Sequence, residues 1–161
     1  MTLLLYRIDD RLIHGQVVVG WGQPLDITFI VLVSDEVAES EWEQELYRMA
    51  VPPEMSVYFH TAADAVPALP RYRSATGRGI LVTGDIGTMR VLVDHGGVDT
   101  VNVGGIHSGV GRVQRLRYVF LSLAEEQALR DMAAHGAKVT AQDVPGARPV
   151  SLDDLIAGVE P

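Results

Sequence analysis

The chain has 161 residues, of which 47% are apolar and 21% are charged, a composition typical of one globular domain. It contains no cysteine, which excludes disulfides, thiolate nucleophiles and cysteine-based metal or iron–sulfur sites. Its 21 acidic residues outnumber its 13 basic residues and give a net charge of −8. A basic surface for nucleic acid is therefore not expected.

The start of the chain lacks the features of a targeting segment. No basic stretch precedes its first apolar run, and the acidic pair Asp9 and Asp10 follows at once. No apolar run in the sequence approaches the roughly 20 residues that span a bilayer. We therefore expect a cytoplasmic protein with a single domain over residues 1–161.

Short apolar runs alternate with helical patterns along the chain. The predicted strands cover residues 2–8, 27–33, 56–59, 79–83, 100–103 and 138–142. The predicted helices cover residues 15–21, 40–50, 62–69, 86–95, 122–136 and 151–157. Thr61 is a candidate N-cap for the third helix, and Ser122 with Glu125 forms a capping-box pattern for the fifth. An extended segment over residues 113–120 is left open.

This alternation predicts right-handed crossovers between parallel strands. The expected fold is α/β, with three layers, a doubly wound and mostly parallel sheet, and helices on both faces. Ligands bind such sheets at the carboxyl ends of the strands. The loops of interest therefore follow Ile8, Val33, Phe59, Thr83 and Val103.

The loop after the first strand concentrates polar chemistry. Asp9, Asp10, Arg11 and His14 lie between a buried strand and Gly15, where a helix is predicted to begin. A helix start offers free backbone N–H groups to an anion, and Arg11 adds a fixed positive charge. Such a site suits a histidine that accepts a phosphoryl group. The alternative is a packed loop in which Asp10 pairs with Arg11 and His14 only caps the helix.

The other four histidines have weaker patterns. His95 and His135 precede glycines at predicted helix ends, and His60 lies at a strand-to-helix junction before Thr61, so structural roles are expected for all three. His107 lies in a glycine-rich loop after a strand and could line the same cleft as His14. No spacing typical of a histidine metal site occurs in the sequence, so we expect no metal and no cofactor.

Several other motifs were considered. The sequence has no complete dinucleotide-binding glycine motif, no phosphate-binding Gly-Lys-Ser/Thr and no Gly-x-Ser-x-Gly elbow. Arg112, Arg115 and Arg117 form a basic cluster in an acidic chain. We interpret this cluster as a solvated face, with a docking patch for an acidic partner as the alternative.

The segment from Arg7 to Val17, Arg-Ile-Asp-Asp-Arg-Leu-Ile-His-Gly-Gln-Val, resembles a known active-site loop. It is similar to that of the enzyme IIB component of the sugar phosphotransferase system (PTS), mannose/sorbose class. The resemblance continues through most of the chain. It includes Trp21, the segments 31–38 and 50–54, and the late glycine pair in 101–105.

The resemblance implies an α/β doubly wound fold and a protein-N(pi)-phosphohistidine–sugar phosphotransferase. His14 would take a phosphoryl group on Nδ1 from phospho-IIA and pass it to a sugar bound by the membrane components IIC and IID. Arg11, Gly15 and Gln16 are the candidate phosphate-binding residues. The expected partners are IIA, IIC, IID and the sugar, with no nucleic acid.

Asp10, Thr83 and His107 are candidate supporting residues. Thr83-Gly84-Asp85 departs from the family pattern, in which Asn or Ser and then Pro follow the threonine or serine. The sequence contains no IIA domain, so a stand-alone IIB is expected. Whether the chain forms a homo-oligomer is not predicted. The alternatives are an anion-binding or regulatory module of an incomplete phosphorelay, and a histidine phosphatase or mutase.

Overall fold

A seven-stranded sheet forms the centre of the computed structural model, which describes residues 2–160. The strands of the described chain are β1 Leu3–Ile8, β2 Phe29–Val33, β3 Ser56–His60, β4 Gly79–Thr83, β5 Thr100–Val103, β6 Val113–Leu116, β7 Val119–Leu121, β8 Lys138–Ala141 and β9 Val150–Ser151. A π-helical segment, Gln16–Trp21, leads into the first α-helix. The α-helices are α1 Gly22–Leu25, α2 Asp35–Ala38, α3 Glu41–Met49, α4 Ala62–Ser74, α5 Ile86–Gly96, α6 Leu123–Ala134 and α7 Leu152–Ala157.

The strand order across the sheet is β3-β2-β4-β1-β5-β8-β9. The first six strands in this order are parallel, and β9 is antiparallel to β8. A separate antiparallel pair, β6 and β7, accounts for the extended segment left open over residues 113–120. The predicted α/β fold with a mostly parallel sheet is confirmed.

Alternating strand residues belong to two separate hydrophobic clusters, one on each face of the sheet. In β2, Phe29, Val31 and Val33 join one cluster, whereas Ile30 and Leu32 join the other. Helices α4, α5 and α6 pack on the first face. The π-helical segment, with α2 and α3, covers the second. No helix within residues 2–160 is both long and apolar enough to cross a membrane.

Helix α4 differs most from its prediction, because it continues to Ser74 instead of ending at residue 69. It passes through Pro67 and Pro70, although proline normally disrupts a helix interior. Ala65, Leu69 and Tyr72 recur at helical spacing and are all buried against the sheet. Tertiary packing therefore outweighs the local cost of the prolines. Thr61 caps this helix as predicted, accepting a hydrogen bond from the Asp64 amide.

Candidate functional site

Three loops meet at the carboxyl end of β1 because this strand lies between β4 and β5. The Asp9 amide donates to the Thr83 carbonyl at 2.9 Å, which joins the first loop to the end of β4. The Asp10 amide donates to the Gly105 carbonyl, also at 2.9 Å, which joins it to the loop after β5. The loops after Ile8, Thr83 and Val103 thus form one edge, whereas those after β2 and β3 follow strands farther along the sheet.

Asp9 is the centre of the polar contacts at this edge, and its side chain is fully buried. Its Oδ2 lies 3.3 Å from Arg7 Nη2, and its Oδ1 accepts from Arg11 Nε at 3.2 Å. Burial alone would raise the pKa of this carboxyl, but the contacts with His14 and Arg11 and the charge of Arg7 outweigh it. The pKa of Asp9 is therefore held well below its usual range, and the carboxylate is ionised at neutral pH.

The two ring nitrogens of His14 have different environments. Nδ1 accepts a hydrogen bond from the Gln16 backbone N–H at 3.2 Å. Nε2 is buried and lies 3.3 Å from Asp9 Oδ1, although the angle is not that of a hydrogen bond. A backbone N–H can only donate, so Nδ1 holds a lone pair and the ring proton is assigned to Nε2, beside the carboxylate. In this tautomer the available lone pair of the ring is on Nδ1.

The backbone of the loop is strained at Leu12, two residues before His14. Leu12 has φ of 59°, a left-handed conformation that is unusual for a bulky residue. Its side chain is buried in the second-face cluster, and this packing holds the strained turn in place. Gly15 begins the helical segment as predicted, and a Cβ there would meet nothing within 4 Å. The space beside Gly15 is therefore open to an incoming group.

Arg7 is a buried residue of β1 that contacts Asp9. It was not among the predicted site residues. Its guanidinium donates to Asn102 Oδ1 at 2.5 Å and to the carbonyls of Gln142 and Asp143. Burial lowers its pKa, and Asp9 opposes that shift. A Cβ on Gly104 would lie 2.4 Å from Arg7 Cζ, so the glycine leaves room for this side chain. The sequence signal for this role is an arginine inside an otherwise apolar strand.

Gln16 uses its side chain to link the first loop to a distant part of the chain. Its Oε1 accepts from Arg11 Nη2 at 2.8 Å, and its Nε2 donates to Asp143 Oδ1 at 2.9 Å. Asp143 Oδ2 in turn accepts from Arg117 at 3.1 Å. The backbone amide of Gln16 faces His14, whereas its side chain orients Arg11. Sequence reasoning missed Asp143, and no local pattern around it signals this contact.

Two of the three predicted supporting residues pair with each other. His107 Nδ1 lies 2.6 Å from Asp10 Oδ1, and the His107 backbone N–H donates to Asp10 Oδ2 at 2.8 Å. Asp10 therefore does not form the pair with Arg11 that the alternative interpretation required. Thr83 is fully buried, and it contributes its backbone carbonyl, since its hydroxyl has no hydrogen-bond partner within residues 2–160.

The arginines of the basic cluster are each paired with a carboxylate. Arg112, Arg115 and Arg117 have different partners, which are respectively Glu125, Glu126 and Asp143. The pair with Glu125 is bidentate, with both distances at 2.9 Å. Each positive charge of the cluster is thus compensated by a neighbouring carboxylate, although 71% of the Arg117 side chain is exposed.

The remaining histidines lie in structural positions. His60 Nε2 is 2.6 Å from the Tyr72 hydroxyl at the end of β3. His135 Nδ1 is 3.8 Å from Asp94, and His95 is exposed near the end of α5. Within the part of the chain that the structure describes, no group of three or more histidine and carboxylate side chains could hold a metal ion.

A cleft of about 260 Å³ opens beside the loop. Its polar lining comes from side chains of the site and of the hairpin that follows it, namely Arg11, Gln16, His107, Arg117, Tyr118 and Asp143. Burial raises the pKa of Tyr118 to about 12, with Asp143 adding to the shift. The cleft thus combines two arginines and one imidazole with a single carboxylate, that of Asp143, which is paired with Arg117, so positive groups outnumber negative ones toward an anionic group.

The family model described as "PTS system sorbose subfamily IIB component" matches residues 3–160. The sorbose-specific EIIB component of Klebsiella pneumoniae is 31% identical over 158 residues, covering 97% of this chain and 96% of that protein. The N-acetylgalactosamine-specific enzyme IIB component 1 of Escherichia coli is 32% identical over 158 residues, covering 95% and 98%.

A mannose-specific EIIAB component of Escherichia coli is 29% identical over 161 residues. The present chain spans about half the length of that protein, with coverages of 99% and 50%. Among solved structures, the IIBSor domain of the Klebsiella pneumoniae sorbose permease superposes with a TM-score of 0.87 at 29% identity, covering 99% of both chains.

Proposed function

Because the chain belongs to the sorbose subfamily of PTS IIB components, which are sugar phosphotransferases, we propose that His14 is its phosphoryl carrier. In this proposal Nδ1 takes the phosphoryl group from a phosphohistidine of a IIA protein and passes it to a sugar. The observation that carries the proposal is a pair of contacts of His14: the Gln16 N–H donates to Nδ1, which assigns the lone pair to that nitrogen, and Asp9 faces Nε2.

The first transfer exchanges one P–N bond for another. The Nδ1 lone pair of His14 attacks phosphorus, the P–N bond of the donor breaks, and its electron pair returns to the donor imidazole. The proton on Nε2 stays in place, so the phosphorylated ring carries a positive charge beside the Asp9 carboxylate. The Gln16 N–H, which no longer finds a lone pair on Nδ1, is then free to donate to a phosphoryl oxygen.

The second transfer restores the starting state. A sugar hydroxyl oxygen attacks phosphorus, the P–Nδ1 bond breaks, and its electron pair becomes the Nδ1 lone pair again. The hydroxyl proton passes to a base in the sugar-binding component. His14 ends as the neutral tautomer with its proton still on Nε2, ready for the next cycle. Both steps depend on positioning and electrostatics, as in other phosphoryl transfers.

Arg11 is placed to neutralise the transferring group. Its guanidinium is anchored by Asp9 and by the Gln16 side chain, yet 41% of the side chain is exposed. A fixed planar donor that is still accessible suits the oxygens of a phosphoryl group. The His14 side chain is itself 19% exposed, which allows a protein-bound donor to approach it.

The proposal also covers the partner proteins and the cellular compartment of the transfer. The donor is a phospho-IIA protein and the acceptor is a sugar held by IIC and IID, with the exchange taking place in the cytoplasm. The relatives that match over nearly their whole length are named for sorbose and N-acetylgalactosamine. We therefore propose a sugar of this general class as the final acceptor, delivered through membrane components of the same type.

The test is a relay from phosphoenolpyruvate through enzyme I, HPr and a IIA protein of the sorbose class. Wild-type chain is expected to gain one acid-labile, base-stable phosphoryl group, mapped to His14 by mass spectrometry. His14→Gln is expected to gain none, and the matched variant His95→Gln is expected to behave as wild type. If no cognate donor labels wild-type His14, the chain is instead an anion-binding or regulatory module.

A further inference from the structure

His107, an exposed residue at the rim of the cleft, is held by three hydrogen bonds, one through its ring and two through its backbone. The His107 side chain is 68% exposed, but its Nδ1 and its backbone N–H both bind the Asp10 carboxylate. Its carbonyl accepts from Arg112 Nη1 at 2.9 Å, and Arg112 is fixed in turn by Glu125. Surface side chains normally keep their rotamer freedom. The bond from Nδ1 to Asp10, on a residue whose backbone is also held, fixes the orientation of this exposed ring.

The free atom of this ring is Nε2. Asp10 Oδ1 accepts a hydrogen bond from His107 Nδ1, and the two atoms are 2.6 Å apart. No residue between 2 and 160 forms a hydrogen bond with Nε2. Asp10 thereby acts on His107 as a buried aspartate acts on a catalytic histidine, by fixing the ring and its Nδ1 proton. The consecutive residues Asp9 and Asp10 thus position two imidazoles, His14 and His107, from one loop.

His107 shares the cleft with two of the residues proposed to hold the phosphoryl group, whereas His14 lies in the adjoining loop and does not line the cleft. Arg11 and Gln16 line it from one side, and His107 lines it from the loop after β5. The other charged groups facing the cleft are Arg117 and Asp143, and they are paired with each other. Arg11 also shares its charge with Asp9. A dianionic phosphoryl group entering the cleft therefore meets few donors that are not already engaged.

We propose that Nε2–H of His107 donates a hydrogen bond to the phosphoryl group carried by His14, so that Arg11 and His107 hold it together. This inference rests on the proposed function of His14. Nδ1 donates to Asp10, so in this arrangement the ring carries a proton on each nitrogen and makes both hydrogen bonds at once. His107 is thus a phosphoryl-contacting residue that is not itself phosphorylated.

Two substitutions separate the two nitrogens of the ring. In His107→Asn the amide nitrogen reaches the position of Nδ1 and keeps the contact with Asp10, but nothing occupies the Nε2 position. In His107→Gln the amide nitrogen reaches the position of Nε2, and the contact with Asp10 is lost. The proposal predicts that His107→Asn is the more impaired variant, although it preserves the observed hydrogen bonds better.

The measurement is the rate of His14 phosphorylation with two donors. One donor is phospho-IIA, and the other is phosphoramidate, a small molecule that transfers a phosphoryl group without a protein surface. We expect His107→Asn to slow both reactions about tenfold or more, the effect of losing one hydrogen bond to a charged group. We expect His107→Gln to stay within about threefold of wild type. His95→Asn is the control and is expected to match wild type.

Three results would overturn the inference. His107→Asn could match wild type with both donors, or the two variants could be slowed equally with both donors. A loss with phospho-IIA alone would assign His107 to protein docking, which is a different role. Each of these results presupposes that wild-type His14 accepts the label. Failure of the label on the wild-type chain would instead refute the proposed function.

Discussion

The Oδ1 atom of Asp9 lies 3.3 Å from Nε2 of His14, and the carboxylate that makes this contact is fully buried. The same carboxylate also contacts Arg7 and Arg11, so one acid organises two cations and the imidazole. Burial of the Asp9 and Arg7 charges is tolerable only because they compensate each other, while Arg11 adds a partly exposed third charge. The stability of the loop and its chemistry therefore depend on the same side chain.

Asp9→Asn is expected to destabilise the fold by about 3–5 kcal/mol, because it leaves the buried guanidinium of Arg7 without its carboxylate. Urea unfolding followed by circular dichroism measures this difference. The control is Asp26→Asn. Asp26 is exposed and has a left-handed backbone conformation, which asparagine also tolerates. We expect the control to lie within about 0.5 kcal/mol of wild type. A similarly small change for Asp9→Asn would contradict the role assigned to the carboxylate.

The loss of stability caused by Asp9→Asn should also depend on pH. The pKa of Asp9 is lowered on folding from its ordinary value of 3.8, so its stabilising contribution is complete well above that value. The contribution is lost as the pH falls below 3.8 toward the folded-state pKa, because the unfolded chain takes up the proton first. The difference between wild type and Asp9→Asn should therefore shrink in acid, and a constant difference would argue against this linkage.

Arg11→Ala is expected to keep the fold and to slow phosphoryl transfer by roughly a hundred- to a thousandfold, as is typical for loss of one electrostatic donor. The physical reason is that its guanidinium is the exposed cation of the loop, held in place by Asp9 and Gln16. Single-turnover transfer from phospho-IIA measures the rate, with Arg48→Ala on α3 as the control. A loss below about twofold would remove Arg11 from the mechanism.

Contiguous features of the fold and site were predictable from the sequence. Apolar runs located β1, β4 and β5, and the capping box of Ser122 and Glu125 is confirmed at the start of α6. The charged loop after β1 stood out because its residues are neighbours in sequence and follow a buried strand. Parallel topology predicted five loops at the carboxyl ends of the strands, and the structure shows which two of them, after Thr83 and Val103, contact the first loop.

Contacts over long sequence separations were not predictable. Gln16 and Asp143 are separated by 127 residues, and no periodicity or local propensity links such a pair. The pairing of Asp10 with His107, rather than with the adjacent Arg11, also depends on the tertiary approach of two loops. The π-helical form of Gln16–Trp21 and the left-handed Leu12 are local, but tertiary packing decides both.

Gly104→Ala is expected to destabilise the protein by about 1–3 kcal/mol, the usual cost of overpacking a filled site. The new methyl group would lie 2.4 Å from Arg7 Cζ, and the guanidinium cannot easily move because Asn102 and two carbonyls hold it. Gly146→Ala, where a Cβ meets nothing within 4 Å, is the control. Equal thermal stability of the two variants would contradict the close packing of Arg7 against this loop.

His60→Gln is expected to make the protein less sensitive to mild acid. Burial, with a smaller effect from Arg71, lowers the pKa of His60 below its ordinary value of 6.5. Wild type should therefore lose stability as the pH falls through 6.5, because the unfolded chain protonates first. Glutamine can keep the hydrogen bond to Tyr72 without titrating.

Unfolding at about pH 7.5 and about pH 5 compares wild type with His60→Gln, since histidine titrates between these values. The difference between the two pH values should be smaller in the variant. His95→Gln, at an exposed histidine, serves as the control and should retain the wild-type response. An identical pH response in all three proteins would mean that His60 does not contribute to it.

The most direct test of the central claim is to identify the nitrogen of His14 that carries the phosphoryl group. Uniformly ¹⁵N-labelled chain, phosphorylated by phospho-IIA, can be examined by long-range ¹H–¹⁵N correlation NMR with coupling to ³¹P. The tautomer set by Gln16 and Asp9 predicts phosphorus on Nδ1 and a proton retained on Nε2. Phosphorus on Nε2, or on any histidine other than His14, would contradict the account.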